Sequence, residues 1–182
     1  MTHESSVRAA LLAAVPNLRA FAMSLCRDAH RADDLVQETL LRALANIQSF
    51  EPGTNMPAWL FTILRNLYRS EYRKRRREVE DPEGRHVENL KTYPEQTGRL
   101  ELREFGAALD RLPPDQREAL ILVGASGFSY EEAAKICGCA VGTVKSRVNR
   151  ARTKLAELLA IEDINEFGPD ATERAVIVGQ EK

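Results

Sequence analysis

The stretch at residues 129–159, SYEEAAKICGCAVGTVKSRVNRARTKLAELL, constrains the fold more than any other part of the chain. Ser129 and Glu132 have the spacing of a capping box, which predicts the start of a helix. Gly138 can adopt the left-handed conformation that ends this helix. Ala134 supplies a small side chain at a point where two helices must approach. The stretch is therefore predicted to form two helices joined by a tight turn.

The second of these helices has two different faces. At about 100° per residue, its apolar and polar side chains separate onto opposite sides. The apolar side consists of Val144, Val148, Ala151, Leu155 and Leu158, and the polar side of Lys145, Ser146, Asn149, Arg150 and Thr153. Arginine and asparagine can bond base edges in the major groove, and lysine and threonine can hold phosphates. The pattern favours a DNA-reading helix-turn-helix, although a solvated charged face is the commoner origin of basic amphipathic helices.

The net charge of −1 over 182 residues argues at first against a nucleic-acid partner. The charges are segregated, however, into one basic block at residues 69–77 and a second at residues 145–154. The compensating acids lie in residues 28–38, in residues 78–104 and in the tail. Because local fields rather than the average charge decide where a polyanion binds, both blocks are candidate DNA contacts.

No catalytic or cofactor site is predicted. Cys137 and Cys139 flank the turn glycine, too close together for a common zinc-pair spacing, and Cys26 makes the count odd. The sequence has no Gly-rich phosphate loop and no nucleophile with a neighbouring histidine. We expect no enzyme activity, no metal and no cofactor, and small buried packing roles for the cysteines.

The N-terminal third predicts three helical segments. Residues 7–25 are apolar at helical spacing, but Pro16 removes a backbone donor, so we expect a short helix, a break, and a second helix starting near Pro16. A further helix is expected from about residue 31 to residue 47. Its expected buried stripe is Val36, Leu40, Ala43, Leu44 and Ile47, and a different face holds Asp34, Gln37, Glu38 and Leu41. An exposed leucine beside polar groups favours a binding face, although acids in a first helical turn need no partner.

Residues 50–57, FEPGTNMP, predict a loop, and AWLFTILRNLYRSEYRKRRRE predicts a helix after it. The expected core stripe of this helix is Trp59, Leu60, Ile63, Leu64 and Leu67. The groups expected outside that stripe are Phe61, Arg65, Asn66, Tyr68, Arg69, Tyr72 and Arg73. Interleaved aromatics and arginines suit single-stranded DNA, where stacking contributes ~1–3 kcal/mol per base. Aromatics at helical spacing are nevertheless more often core.

These patterns predict an all-α protein of two small helical domains joined by a flexible linker. The domains are expected at residues 1–77 and 101–160, with the linker at 78–100 and an acidic tail at 161–182. We see no apolar run approaching the ~20 residues that a membrane span requires. The N-terminus lacks the pattern of a secretory leader, so we expect a cytoplasmic protein with no membrane contact.

Three blocks occur in a particular order: DDLVQETLLRAL, the Trp-bearing basic helix, and LDRLPPDQREALILVGASGFSYEEAAKICGCAVGTVKSRVNRARTKL. Over residues 7–159 the chain resembles an extracytoplasmic-function sigma factor, the minimal specificity subunit of bacterial RNA polymerase. The two expected domains resemble sigma region 2 and sigma region 4. The phrase GFSYEEAAKICGCAVGTVKSR resembles in particular the general-stress sigma factors of alphaproteobacteria.

The resemblance implies three sets of contacts. Residues matching the surface that docks on the clamp helices of the polymerase β′ subunit are Asp34, Gln37, Glu38, Leu41 and Arg42. Those matching the −10 promoter contacts are Thr54, Asn55, Met56, Trp59, Arg65, Asn66, Arg69 and Arg73, with residues 54–56 forming a pocket for a flipped base beside Asn66. Those matching the −35 contacts are Thr143, Lys145, Ser146, Arg147, Asn149 and Arg150. The implied partners are core polymerase (β′ clamp helices and β flap), promoter DNA and a small soluble anti-sigma factor.

Two rival functions remain. A sigma-like decoy would bind the anti-sigma factor without touching DNA, and would have no reason to keep the basic groups of residues 69–77 and 145–150; it normally carries a receiver domain as well. An ordinary helix-turn-helix regulator would use its N-terminal domain to sense a ligand or to dimerise. It would need neither the acidic face at residues 34–42 nor the Trp59 helix.

Overall fold

The computed structural model describes residues 2–79 and 98–160, which fold entirely into helices and short connections. The helices are α1 (Thr2–Cys26), α2 (Ala29–Ala45), α3 (Met56–Val79), α4 (Gly98–Asp110), α5 (Pro114–Gly124), α6 (Tyr130–Cys137) and α7 (Val141–Leu158), with a short 3-10 helix at Ile47–Ser49. These ranges contain no strand, which confirms the all-α class. Of the predicted linker, residues 80–97 lie outside the described residues, as does the whole tail at 161–182.

Helix α1 is continuous, so the expected break at Pro16 is wrong. Leu11 before the proline and Leu18 and Phe21 after it lie on one buried stripe, and the last two are fully buried. Burying such side chains contributes roughly 1.5–3 kcal/mol each. Together they offset the cost of a proline in a helix interior, about 3 kcal/mol.

Part of α1, Val7–Cys26, is long and apolar enough to cross a membrane by length and composition alone, with a mean hydropathy of 1.5. This corrects our expectation that no apolar run of that length exists. The buried stripe of the segment packs in one core with α2 and α3. Since only 39% of the segment is buried, the core of the fold accounts for part of its apolar character.

Helix α2 begins at Asp28, whose carboxylate accepts a hydrogen bond of 3.0 Å from the amide of Arg31. Its buried residues are Ala32, Leu35, Val36, Thr39 and Ala43. Leu44, which we expected in the core, is 54% exposed, so the buried stripe lies about one residue off the predicted one. Thr39 is tolerated in the core because its hydroxyl donates to the carbonyl of Leu35 at 2.7 Å.

Helix α3 buries more of its surface than the sequence predicted. Phe61 and Arg65, expected outside the core stripe, are only 1% and 4% exposed. Trp59 and Ile63 are half-buried instead. A second layer of structure therefore covers the side of α3 that we expected to face solvent.

That layer is the helix-turn-helix half of the chain. One hydrophobic core runs from α1, α2 and α3 into α5, α6 and α7. Phe61 stands at its centre, with its ring 5.0 Å from that of Phe21 and 4.8 Å from that of Phe128. A smaller cluster, Ala108, Leu112, Ala151 and Leu155, joins α4 to α7. The two halves, predicted as separate domains, contact each other directly.

Candidate nucleic-acid interface

The helix-turn-helix at α6 and α7 has the predicted capping box. The Ser129 hydroxyl accepts from the Glu132 amide at 3.1 Å, and the Ser129 amide donates to the Glu132 carboxylate at 2.9 Å. These bonds hold the pKa of Glu132 below its usual range, the bond from the Ser129 backbone most strongly, followed by one from Asn55. Gly138 ends α6 with φ of 60°, where other residues would be strained. The turn is thus fixed by local chemistry.

Helix α7 buries Val144, Val148, Ala151, Leu155 and Ala156, and this anchors its apolar face on the rest of the domain. Of the six residues that match −35 contacts, Thr143, Lys145, Asn149 and Arg150 are exposed. Lys145 also lies 5.5 Å over the ring of Tyr130. An exposed row of such side chains on a well-anchored helix is suited to reading the major groove.

Arg147 differs from the other candidate −35 residues. It pairs with Asp115 at 3.0 Å with its side chain 22% exposed, and its guanidinium reaches the sulfur of Cys139 at 3.8 Å. These contacts tie α7 to α5 and to the turn. Arg147 is therefore engaged inside the domain, and Ser146 beside it is half-buried.

A groove of 550 Å³ runs along the polar face of α7 and past the start of α5. Its lining consists of Arg111, Pro113, Gln116, Asn149, Arg150, Thr153, Lys154 and Glu157. Lys154 is paired with Glu157 at 2.8 Å, which leaves Arg111 and Arg150 as excess positive charge in the lining. The local field along this face favours an anion despite the net charge of the chain.

The face of α2 that matches the polymerase-docking surface is open to solvent. Asp34, Gln37 and Arg42 are exposed, and Leu41 is 63% exposed. Glu38 is half-buried and accepts from Arg42 at 2.7 Å, one helical turn away. Large exposed leucines beside charged groups have the mixed character of a protein-docking face.

On α3, Asn66, Arg69 and Arg73 are exposed, as we expected for DNA contacts. Trp59 is half-buried, with its ring 5.3 Å from that of Phe50. Tyr68 is turned inward and donates to the carbonyl of Leu25 at 3.0 Å. An open cavity of 250 Å³ brings Trp59 and Asn66 together with groups from α2 and the segment after it; its lining is Arg42, Asn46, Ser49, Trp59, Ile63 and Asn66.

The loop before α3, matching the flipped-base pocket, contacts the helix-turn-helix. Thr54 is exposed and its hydroxyl donates to the Glu51 carbonyl, whereas Met56 is 8% exposed and belongs to the core. The Asn55 amide donates to Glu132 at 2.6 Å, and its oxygen accepts from the amide of Ala58 at 3.1 Å. The three loop residues therefore differ in how accessible they are to a DNA base: Thr54 is exposed, Asn55 is bonded to the helix-turn-helix, and Met56 is buried.

A cluster of charged groups joins the two halves, and sequence reasoning missed it. Arg65 donates to Glu118, and the two side chains are 5% and 6% exposed. Arg69 approaches the second oxygen of Glu118 at 3.6 Å. At the other end, Arg27 pairs with Asp110 at 2.7 Å. No local pattern marks Glu118 as a partner of α3, because 53 residues separate it from Arg65.

The fold and these faces are those of a helical DNA-binding protein with a helix-turn-helix, a second basic helix and a separate exposed face on α2. The family models described as Sigma-70 region 2 and Sigma-70, region 4 match residues 12–78 and 102–155. The chain belongs to the extracytoplasmic-function (ECF) sigma factors of bacterial RNA polymerase.

Individual relatives agree with this assignment. The ECF RNA polymerase sigma factor EcfG of Rhodopseudomonas palustris is 72% identical over 174 residues, 96% of each protein. The sigma factor RpoE of Bartonella quintana, solved with the anti-sigma factor NepR, is 55% identical with a TM-score of 0.80, covering 87% of this chain and 99% of that one. The anti-anti-sigma factor PhyR of Bartonella quintana shares the fold alone, at 18% identity and a TM-score of 0.55 over 83% of this chain and 49% of that one.

Proposed function

We propose that this chain directs core RNA polymerase to specific promoters in a general stress response, and that an anti-sigma factor controls it. The observation that carries the proposal is the exposed polar face of α7 on a complete helix-turn-helix, in a chain 72% identical to EcfG. A decoy that only binds an anti-sigma factor has no need for that face. Identity to RpoE of 55%, against 18% to PhyR, favours the sigma factor in the same direction.

Polymerase docking is assigned to the exposed face of α2. Asp34, Gln37 and Glu38 offer hydrogen bonds, Leu41 offers apolar area, and the Arg42–Glu38 pair fixes one edge of the face. Leu41 is 63% exposed, and an apolar side chain of this size gains nothing from contact with water, which favours a partner that covers it. Burying it under a partner would contribute up to roughly 1.5–3 kcal/mol.

Promoter contacts are assigned to two helices. In the −10 element, Trp59 and Asn66 would face an unpaired base, Arg69 and Arg73 would hold phosphates, and the loop at residues 54–56 together with Arg65 would complete the contact. In the −35 element, Lys145 and Thr143 would hold phosphates while Asn149 and Arg150 read base edges. Ser146 and Arg147 would act mainly by holding α7 in place.

The remaining roles follow from this function. Nucleotide addition belongs to the polymerase, so the chain needs no catalytic residue or cofactor of its own, and it acts in the cytoplasm. RpoE of Bartonella quintana was solved with the anti-sigma factor NepR. At 55% identity, a small soluble inhibitor of the same kind is the expected partner here, and no membrane contact is needed.

Transcription from fragmented genomic DNA with and without the chain tests the proposal, because the fragments sample every promoter without one having to be chosen. Core polymerase from Rhodopseudomonas palustris should produce a defined set of new transcript starts only when the chain is added. A chain that binds duplex DNA tightly alone and leaves polymerase unchanged would be an ordinary regulator. One that binds an anti-sigma factor but yields no new starts would be a decoy.

A further inference from the structure

We propose that Glu118 stands in for a DNA phosphate and, with its neighbours, latches the −10 helix α3 shut against the helix-turn-helix in the free chain. This inference rests on the proposed function, because it concerns the residues assigned to the −10 contact. If Glu118 occupies the arginines that would hold DNA, the chain cannot be closed and bind the −10 element at the same time.

Glu118 is an acceptor shared by two arginines of α3. The two oxygens of Glu118 face guanidinium groups of both Arg65 and Arg69, two of the residues assigned to −10 DNA. Carboxylates and phosphates offer an arginine fork the same kind of paired acceptor. A donor bonded to Glu118 is not available to a phosphate, so DNA must displace Glu118 to engage Arg65.

The closed arrangement also blocks access to Arg65. Arg65 is 4% exposed, and the carboxylate bonded to it, that of Glu118, comes from the other half of the chain. Asn55, also assigned to the −10 contact, is bonded across the same interface to Glu132. The ring contact of Phe61 with Phe128 closes the apolar side of the interface. Single-stranded DNA therefore cannot reach Arg65 without separation of α3 from α5 and α6.

The distance between the two promoter elements is incompatible with the closed arrangement. The two promoter elements are named for positions about 10 and about 35 base pairs upstream, so they lie about 25 base pairs, or roughly 85 Å, apart at about 3.4 Å per base pair. In the structure, α3 packs directly on α6, the first helix of the motif that would read the −35 element. One closed molecule cannot hold both elements, and the two halves must part on the promoter.

The interface is also built to open. Arg65 Nη2, on the α3 side of the interface, is buried without a hydrogen-bond partner among the described residues. An unsatisfied buried donor costs about 1–3 kcal/mol. Buried ion pairs recover little net stability after desolvation, although they specify one arrangement strongly. Such a latch holds the closed state in a defined geometry, but the free energy needed to open it is small enough for binding of DNA and polymerase to supply.

The first experiment measures the full chain with the Glu118→Gln substitution, which removes the charge and keeps the shape. The probe is fluorescent oligothymidine of about 12 nucleotides, within the site sizes of single-strand binders. Because the latch keeps the open state rare in the wild-type chain, and apparent affinity scales with the open fraction, the variant should bind about tenfold more tightly. Small-angle X-ray scattering should show a larger radius of gyration. Glu131→Gln, the same change at an exposed site on α6, should alter neither quantity.

The second experiment closes the latch by covalent tethering, and it decides the matter if Glu118→Gln fails to fold. Arg27→Cys and Asp110→Cys place thiols across the interface, away from the assigned DNA contacts. Cys26 and Cys139 are replaced by alanine. Cys137 can remain, because burial raises its pKa to about 12 and keeps it protonated and unreactive. A short reducible cross-linker should weaken oligothymidine binding about tenfold until a reductant is added, and the same chain without the two new cysteines should be unaffected.

Wild-type affinity and dimensions in folded Glu118→Gln would overturn the latch. Equal DNA binding by the tethered and the reduced chain would overturn it as well. Failure of the proposed function would appear elsewhere, as an absence of new transcript starts with core polymerase. A chain that transcribes normally but shows neither latch effect would refute this inference alone.

Discussion

Arg65 of α3 and Glu118 of α5 form an ion pair between the two halves of the chain, with side chains 5% and 6% exposed. At this burial, water scarcely solvates either charge, so each depends on the other. Removing one partner of such a pair typically costs 3–5 kcal/mol, about the cost of an uncompensated buried charge, whereas replacing both by apolar groups can be nearly neutral.

The first prediction is therefore that the stability losses caused by substituting Arg65 and Glu118 are strongly non-additive. Arg65→Met and Glu118→Leu should each lower the free energy of unfolding by about 3–5 kcal/mol, and the double variant by much less than their sum. Urea unfolding can be followed by the fluorescence of Trp59, the chain's single tryptophan. The matched control is the exposed pair Lys154→Met and Glu157→Leu, where the coupling should not exceed about 1 kcal/mol. Additive losses at the buried pair would mean that the two halves do not meet there in solution.

The second prediction concerns the capping box. Ser129→Ala should lower the free energy of unfolding by about 1 kcal/mol, because it removes the side-chain acceptor at the start of α6. The pKa of Glu132 is lowered in the folded state, so its contribution is present above its unfolded pKa, about 4.3, and is lost as the pH falls through the lower folded value. Melting temperatures from about pH 7 to about pH 3 should therefore decline less steeply in Glu132→Gln than in the wild-type chain.

Glu131→Gln is the control for this loss of stability at low pH, since it removes a neighbouring carboxylate that is exposed. Its melting temperature should follow the wild-type dependence on pH. If Glu132→Gln also followed that dependence, the capping carboxylate would contribute nothing to the acid sensitivity of the fold.

Features determined by nearby residues could be predicted from the sequence. The capping box at Ser129, the left-handed Gly138 and the apolar stripe of α7 each depend on contacts within one or two turns, and all three are present. The exposed face of α2 follows from the same helical periodicity. These features define the fold class and much of the candidate site.

The errors have a common physical origin in distant contacts. Phe61 and Arg65 were expected in solvent because the groups that cover them, Phe128 and Glu118, lie more than fifty residues along the chain. Pro16 was expected to break α1 because helix propensity is a local property. The buried side chains before and after Pro16 pack in one core, and these tertiary contacts keep the helix continuous. The ion pair of Arg147 with Asp115 could not be predicted either, because Asp115 lies in another helix, while the −35 role expected for Arg147 stays a prediction.

The third prediction separates Arg150 from Arg147. Arg150→Ala should lower discrimination at one −35 base pair by about 1–3 kcal/mol, with little change in stability, since its side chain is exposed. Arg147→Ala should instead lower the melting temperature and weaken transcription from all promoters alike, because it releases α7 from α5. Transcription from promoters substituted one base at a time, together with thermal melts, measures both effects. A uniform loss for Arg150→Ala would make it a phosphate contact.

The last prediction concerns the docking face of α2. Asp34→Arg should abolish capture of core polymerase, because it places a like charge where an exposed carboxylate is proposed to meet the partner, and such reversals cost several kcal/mol. The fold should survive, since Asp34 is exposed and the buried stripe of α2 is untouched. Glu51→Arg provides the same charge reversal on the exposed loop before α3 and should retain capture. The measurement is pull-down of core polymerase by tagged full-length chain, with thermal melts of both variants. Normal capture by Asp34→Arg would remove this face from the interface, and loss of capture by both variants would attribute the effect to net charge instead.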